Sequence, residues 1–524
     1  MDPAPLGEVL SLVMFAVACG LLILGYPVAL TLAGSGLIFA FAGWLFGVFD
    51  LRILGGLPSR YFGVMLNELL VAVPLFVFMG VMLERSKIAE ELLEAMGLLF
   101  GRLHGGLGLS VIFVGMLLAV STGIVGATVV TMGLLSLPAM LKVGYSKPLS
   151  CGIICASGTL GQIIPPSIVL ILLGDILQGA NTRAQHAKGN FAPDPVSVVD
   201  LFAGAFLPGL LLVGLYMLWV LLVGLLRPQS CPPVARLEPG EGLVSRILGV
   251  LAPPSILIVA VLGSILLGIA TPTESAAVGS VGAILLAARR ADPAVRRSVH
   301  LAGLAVLGLI VLAGLFDLRL QRDVVPTGDL VAAGLAGVCC LVLLWGLIVS
   351  LDRVYRSGIL SKVMRSTMVI SSMVFLILLG ASVFSLVFRG LGGEAIVADV
   401  LNAMPGGTLG AVFLVMAVMF VMGFFLDFVE IVFIVVPIVG PILLQMDVSP
   451  IWLGVMIAVN LQTSFLTPPL GFALFYLRGV APPSVTTMDI YRGIIPFVMI
   501  QIVGLCIVAY WPGLATWLPK VLFG

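Results

Sequence analysis

Gly158-Thr-Leu-Gly-Gln-Ile-Ile-Pro-Pro-Ser167 and Asn460-Leu-Gln-Thr-Ser-Phe-Leu-Thr-Pro-Pro-Leu-Gly471 read as two copies of one device. Each sets a double proline inside an apolar run that otherwise reads as a membrane-spanning helix. Proline in a helix interior removes one N–H donor and clashes with the carbonyl four residues before it. The carbonyls of Gly161 and Gln162, and those of Ser464 and Phe465, are thereby loosened. An unpaired carbonyl in lipid is costly, so such a break is tolerated only where protein or a wet cavity surrounds it. Paired breaks in corresponding positions of two halves point to the binding site of a secondary transporter.

The rest of the chain supplies the membrane. Of 524 residues, 60% are hydrophobic and 10% charged, and the mean hydropathy is +1.24; soluble domains carry about 25% charged residues. The net charge of +1 offers no basic or acidic face for nucleic acid. Seven cysteines lie mostly in apolar runs without metal-ligand or disulfide spacing, and three histidines (His104, His186, His300) are scattered. Met1-Asp-Pro-Ala-Pro-Leu-Gly-Glu8 lacks a basic leader region, so the first apolar run is expected to be a retained helix.

Apolar runs fall near 9–26, 27–48, 62–83, 106–120, 125–141, 148–178, 201–226, 247–268, 274–288, 301–316, 330–350, 366–388, 408–426, 430–445, 451–478 and 493–511. The pairs 106–120/125–141 and 408–426/430–445 are short and closely joined, and they read as re-entrant hairpins. Lys and Arg favour the cytoplasmic side. Segments 85–102, 227–246, 289–297 and 352–365 hold such clusters. One topology puts all four inside, both termini outside, and the two hairpins on opposite faces. Arg319 and Arg322 fall outside against the rule, among Asp317, Asp323 and Asp329.

Pro148 and Gly152 match Pro450 and Gly454, and Pro165-Pro166 match Pro468-Pro469. The expected fold is therefore an all-α polytopic membrane protein with inverted repeats. Its parts are scaffold helices (1–61), a first repeat (62–178), an external loop and scaffold helices (179–297), an inserted helix pair (298–350), a second repeat (351–478) and a C-terminal span (479–524). Residues 228–242 read as a linker.

These motifs resemble the large membrane subunit of a tripartite ATP-independent periplasmic (TRAP) transporter. The resemblance rests on Gly123…Gly126-Ala-Thr128, Gly144-Tyr-Ser146, Ala156–Ser167, Leu201-Phe-Ala-Gly-Ala205, Pro272-Thr-Glu-Ser-Ala-Ala-Val-Gly279, Gly423-Phe-Phe-Leu-Asp427 and Leu466-Thr-Pro-Pro-Leu-Gly471. The branch it most resembles is the one labelled mannitol/chloroaromatic-type. The resemblance implies an elevator-type importer in a bacterial or archaeal inner membrane, driven by sodium. It implies a small four-helix membrane subunit, a periplasmic substrate-binding protein and an organic-anion substrate as partners, with the lipid bilayer as solvent. No cofactor beyond coupling sodium ions is expected, and no Walker A motif occurs.

Sodium takes several oxygens, which hairpin tips and broken helices supply. A first cation site is expected from Ser121, Thr122, Gly123 and Thr128 with Gly158, Thr159 and Pro165. A second is expected from Gly423 and Asp427 with Thr463, Thr467 and Pro468. An intramembrane carboxylate is by default a functional candidate; the alternative for Asp427 is a helix cap. Gln162, Ser167, Asn460 and Gln462 are substrate candidates, or else satisfy loosened backbone. Arg389 either attracts the anion or anchors its span. Ile124-Val125 departs from the small hydroxyl pair usual in the family. Glu274 is expected in a first turn capped by Thr273. The competing functions are a sodium/dicarboxylate or citrate-type carrier without a binding protein, an intramembrane enzyme, for which the histidines are too few and no carboxylate pair recurs beyond Asp427/Glu430, and a scaffold, which leaves the matched breaks unexplained.

Overall fold

The computed structural model describes residues 3–86, 88–101, 103–234, 243–322, 325–468 and 471–524. Asp323 and Pro469, named above, and Lys87, Arg102 and Arg236 of the Lys/Arg segments lie outside the described residues. All regular elements are helical: α1 (Pro3–Ile23), α2 (Val28–Leu45), α3 (Leu57–Met65), α4 (Ala72–Arg85), α5 (Ile88–Phe100), α6 (Gly106–Thr122), α7 (Val125–Val143), α8 (Lys147–Thr159), α9 (Ile168–Ala187), α10 (Val198–Leu226), α11 (Leu243–Leu266), α12 (Pro272–Ala291), α13 (Arg296–Leu315), α14 (Thr327–Arg356), α15 (Ile359–Gly390), α16 (Gly393–Asn402), α17 (Thr408–Met422), α18 (Phe428–Ile434), α19 (Val436–Gln445), α20 (Pro450–Leu466), α21 (Phe472–Val480), α22 (Thr487–Tyr510) and α23 (Gly513–Phe523), with short 3₁₀ turns between some of them. Among the described residues nine helices are long and apolar enough to cross a bilayer, or up to eleven if each of two bent pairs is one span. Helices satisfy their own backbone, which is what lipid requires.

Several boundaries differ from the sequence reading. The run 62–83 is not one straight helix: α3 and α4, with their flanking 3₁₀ turns, meet at 53° around Leu66-Asn67. Asn67 caps the second segment by accepting from Leu69 N at 3.0 Å. The run 430–445 bends by 55° between α18 and α19, because Pro437 cannot donate back to Phe433. α9 continues to Ala187, so half of the expected external loop 179–200 is helix. α23 follows the last expected span. The inserted region forms α13 and α14, which pack where Gly346 meets Ala302. Arg319 and Arg322 are held at their joining loop by Asp317 and Asp329, at 2.8 and 2.9 Å.

Not every double proline breaks a helix. Pro253-Pro254 lies within continuous α11. The carbonyls it loosens belong to Gly249 and Val250, and both residues line a cavity of about 260 Å³ that also holds Glu91, Arg289 and Arg290.

Bonds between loops link residues that the charge pattern puts on the same side. At one face Lys147 Nζ donates to Ser484 O at 2.6 Å, Ser146 N to Ser230 O at 2.9 Å and Val234 N to Gly101 O at 2.8 Å. Arg290 pairs there with Glu91. At the other, Lys188 pairs with Asp447 at 2.5 Å and Thr273 Oγ1 donates to Glu68 O at 2.9 Å.

Thr273 is therefore not the cap of α12. Thr271 is: its Oγ1 accepts from Glu274 N at 3.2 Å while Glu274 Oε2 accepts from Thr271 N at 2.8 Å. These bonds from the Thr271 backbone and hydroxyl hold the exposed Glu274 carboxyl below the usual range. Its contribution is present above the unfolded pKa and lost as pH falls through the folded one. Amide protection in the first turn of α12 is thus expected to fall on acidification below about pH 4, and Glu274→Gln to remove that step. An unchanged acid step in the variant would place it elsewhere.

Candidate functional site

The first hairpin turns at Gly123, whose φ of +60° is the left-handed conformation that glycine adopts without strain. The tip rests on the start of α9: a Cβ on Gly123 would lie 3.2 Å from Ile168 Cγ1 and 3.4 Å from Ile168 N. Gly158 abuts Val129 of α7 as tightly, and Gly161 abuts the Ala119 carbonyl of α6. Small residues let these backbones approach. Between α8 and α9 the chain makes a 3₁₀ turn at Leu160–Gln162 and a cis Pro165-Pro166 bond. Ser167 then caps α9 and donates to Gln162 O at 2.8 Å, so one loosened carbonyl finds its partner locally.

The second tip is set the same way against α20. A Cβ on Gly423 would fall 2.1 Å from Ser464 Oγ. Asp427 caps α18: its Oδ1 accepts from Phe428 N at 2.7 Å, and Glu430 Oε2 accepts from Asp427 N at 3.1 Å. The capping alternative for Asp427 is thus observed, as a capping box with Glu430. The Phe428 ring lies 6.2 Å from Phe465, which lies 5.2 Å from Phe472, so aromatic contact carries the tip across the second break.

The two breaks meet. Gln462 Nε2 donates to Thr159 Oγ1 at 3.3 Å. The Tyr476 ring of α21 covers Gly126, and Leu477 and Val480 cover Gly133, so the second broken helix braces the first hairpin. Four of the five threonine candidates donate to a carbonyl of their own chain segment: Thr128 to Ile124, Thr159 to Ala156, Thr463 to Val459 and Thr467 to Thr463, at 2.8–3.1 Å. A donating hydroxyl keeps acceptor lone pairs. Pro165 and Pro468 sit in the breaks, and Pro468 is half-buried. Ser121 and Thr122 end α6, and their side chains lie outside the described residues.

The substrate candidates divide. Ser167 serves Gln162 O, and Asn460 Nδ2 donates to Met416 O at 2.8 Å; both satisfy backbone. Both amide ends of Gln162, and Gln462 Oε1, are buried without a hydrogen-bond partner among the described residues. Buried polar groups are seldom left so, which makes these two glutamines the polar focus between the breaks. Arg389 is elsewhere: it pairs with Glu394 at 2.6 Å and lines an outer cavity that no tip or break residue reaches.

Two intramembrane contacts were missed from sequence. Tyr216 of α10 and Gln501 of α22 are fully buried and bonded at 2.7 Å. Glu84 of α4 accepts from Thr131 of α7 at 2.9 Å. Glu84 sits just past the apolar run 62–83 and beside Arg85, so in sequence it reads as part of the charged loop.

The sequence profile of the family described as "Tripartite ATP-independent periplasmic transporter, DctM component" matches residues 12–514. The C4-dicarboxylate TRAP transporter large permease protein DctM of Vibrio cholerae is 27% identical over 98% of this chain and 98% of its own length. The sialic acid TRAP transporter permease protein SiaT of Haemophilus influenzae is 25% identical over 86% of this chain, which spans 60% of that longer protein. Among solved structures, the Alcanivorax borkumensis YdaH transporter has a similar fold, with TM-score 0.52 and 15% identity over 89% of this chain and 90% of that one. With the profile running nearly end to end over a polytopic helical chain, this protein belongs to the DctM-component family of tripartite ATP-independent periplasmic transporters.

Proposed function

We propose that this chain is the large permease subunit that imports an organic anion by an elevator motion driven by sodium. The observation that carries the reading is the meeting of two hairpin tips with two proline-broken helices, bridged by Thr159 and Gln462. Such an arrangement concentrates hydroxyls, loosened carbonyls and the carboxylates of Asp427 and Glu430 around the two breaks. In this reading the first cation lies among Gly123, Thr128, Gly158, Thr159 and Pro165, and the second among Gly423, Asp427, Thr463, Thr467 and Pro468. The repeats 62–178 and 351–478 enter from opposite faces. The Lys188 face is periplasmic, and both termini lie on it. A binding protein delivers the anion there, and a small four-helix subunit braces the scaffold.

Co-reconstitution with a small subunit and a binding protein tests this. A panel of radiolabelled carboxylates is offered with an inward sodium gradient or with potassium. Uptake is expected only with sodium and only with the binding protein. Equal uptake in potassium would remove sodium coupling, and uptake without the binding protein would favour a carrier of the dicarboxylate or citrate type.

A further inference from the structure

On the Lys188 face, three arginines from three separate helices surround one cavity of about 500 Å³: Arg60 of α3, Arg183 of α9 and Arg389 of α15. Asn67, Asp175 and Ser382 complete its polar lining. Two acids, Asp175 and Glu394, stand near the three arginines, and Glu394 is also within electrostatic reach of Arg183. Asp175 Oδ1 accepts from Asn67 Nδ2 at 2.7 Å, and Glu394 takes Arg389 at 2.6 Å. Arg183 Nε donates to Gly179 O at 3.3 Å. Among the described residues neither Arg60 nor Arg183 forms an ion pair.

Arg389 is within electrostatic reach of both Arg60 and Arg183, and the three charges repel. Arginine is also disfavoured on the face opposite the Lys/Arg clusters. A fold that gathers three guanidinium groups there, with too few acids to neutralise them, leaves a place for an anion. Planar guanidinium groups suit carboxylate oxygens in paired hydrogen bonds, and the volume suits a small organic molecule. The position links it to the breaks: Asp175 is seven residues, about 10 Å, along α9 from Ile168.

We propose that this three-arginine vestibule is a capture site for an organic carboxylate, which it holds before the hairpin tips open. This rests on the import reading above. The vestibule adds Arg60 and Arg183 to Arg389 and separates all three from the tip residues.

The test reads the vestibule directly. Gly63 and Gly179 line the cavity, and a Cβ on either meets nothing within 4 Å. Gly179→Cys, and separately Gly63→Cys, are made in a background with Cys19, Cys339, Cys340 and Cys506 changed to serine. The purified protein in nanodiscs is reacted with an anionic and a cationic methanethiosulfonate reagent. The anionic reagent is expected to react faster, and the rate ratio to fall about fivefold for each of Arg60→Gln, Arg183→Gln and Arg389→Gln. High salt should compress the ratio towards one. Succinate should slow the anionic reagent, and should stop doing so in the Arg60→Gln/Arg183→Gln double variant. A ratio indifferent to the arginines overturns the proposal. So does protection by anionic lipid in the nanodisc in place of succinate, which would make this a headgroup site. Uptake is measured in parallel. Sodium-driven uptake with an indifferent ratio retires the vestibule and leaves the import reading. The expected ratio without any sodium-driven uptake retires the import reading and leaves an anion-binding cavity.

Discussion

Asp427→Ala is expected to abolish a sodium-specific rise in unfolding temperature, over potassium and choline chloride at equal ionic strength, that is itself the expected result for the wild-type protein. A ligand that binds only the folded state stabilises it by mass action, by about 2.7 kcal/mol at a hundredfold excess over its dissociation constant. The alanine variant also loses the α18 cap provided by Asp427 Oδ1 on Phe428 N, which costs about 1 kcal/mol in every salt. The diagnostic is therefore the sodium-minus-potassium difference and not the absolute temperature. Asp427→Asn separates the two effects, since asparagine caps as well as aspartate but carries no charge. Its unfolding temperature in potassium should match wild type while its sodium increment disappears. An asparagine variant that keeps the full increment would remove Asp427 from the cation site and leave it as a cap.

Gly493→Ala is expected to yield little folded protein. A Cβ at Gly493 would lie 1.9 Å from the Pro148 carbonyl oxygen, and one at Gly152 would lie 2.1 Å from the Gly493 carbonyl oxygen. Both obstacles are backbone, so no side-chain rotation relieves them. α8 and α22 cross here at near backbone contact, and the added methyl must push the helices apart. Overpacking of this kind costs about 3 kcal/mol. Gly214→Ala in α10 is the control, because a Cβ there meets nothing within 4 Å. The monodisperse fraction after purification and the unfolding temperature report the outcome. If Gly493→Ala behaves like Gly214→Ala, the crossing is looser than described.

What was legible from sequence depended on whether the signal was local. The two breaks announced themselves through Pro165-Pro166 and Pro468, and the hairpin turns through Gly123 and the Gly423–Asp427 segment. The charge clusters sorted loops by side, and the cross-loop bonds agree. The cap at Thr271 was also readable, since Pro272 at the first helical position marks the residue before it; Thr273 was the wrong choice. The bend at Leu66-Asn67 has no proline to signal it. Asn67 caps the segment after the bend, but its amide also reaches Asp175, more than a hundred residues away. Pro253-Pro254 carries the same local signal as the true breaks, yet α11 stays whole beside a polar cavity. The Tyr216–Gln501 bond and the three-arginine cavity join residues from distant helices, and no pattern along the chain ties them together.

The bracing of one half by the other has a mechanical consequence. Thr159 with Gln462, Gly126 with Tyr476, Gly133 with Leu477 and Val480, and Gly440 with Ala180 all couple the first half to the second. Any displacement that parted the two halves would have to tear these joints together. On the elevator reading proposed above, the unit read as a repeat is therefore not the unit that would travel. A moving body would consist of one hairpin and one broken helix from each half, interleaved, and its edges would cut across both copies where the chain itself shows no seam.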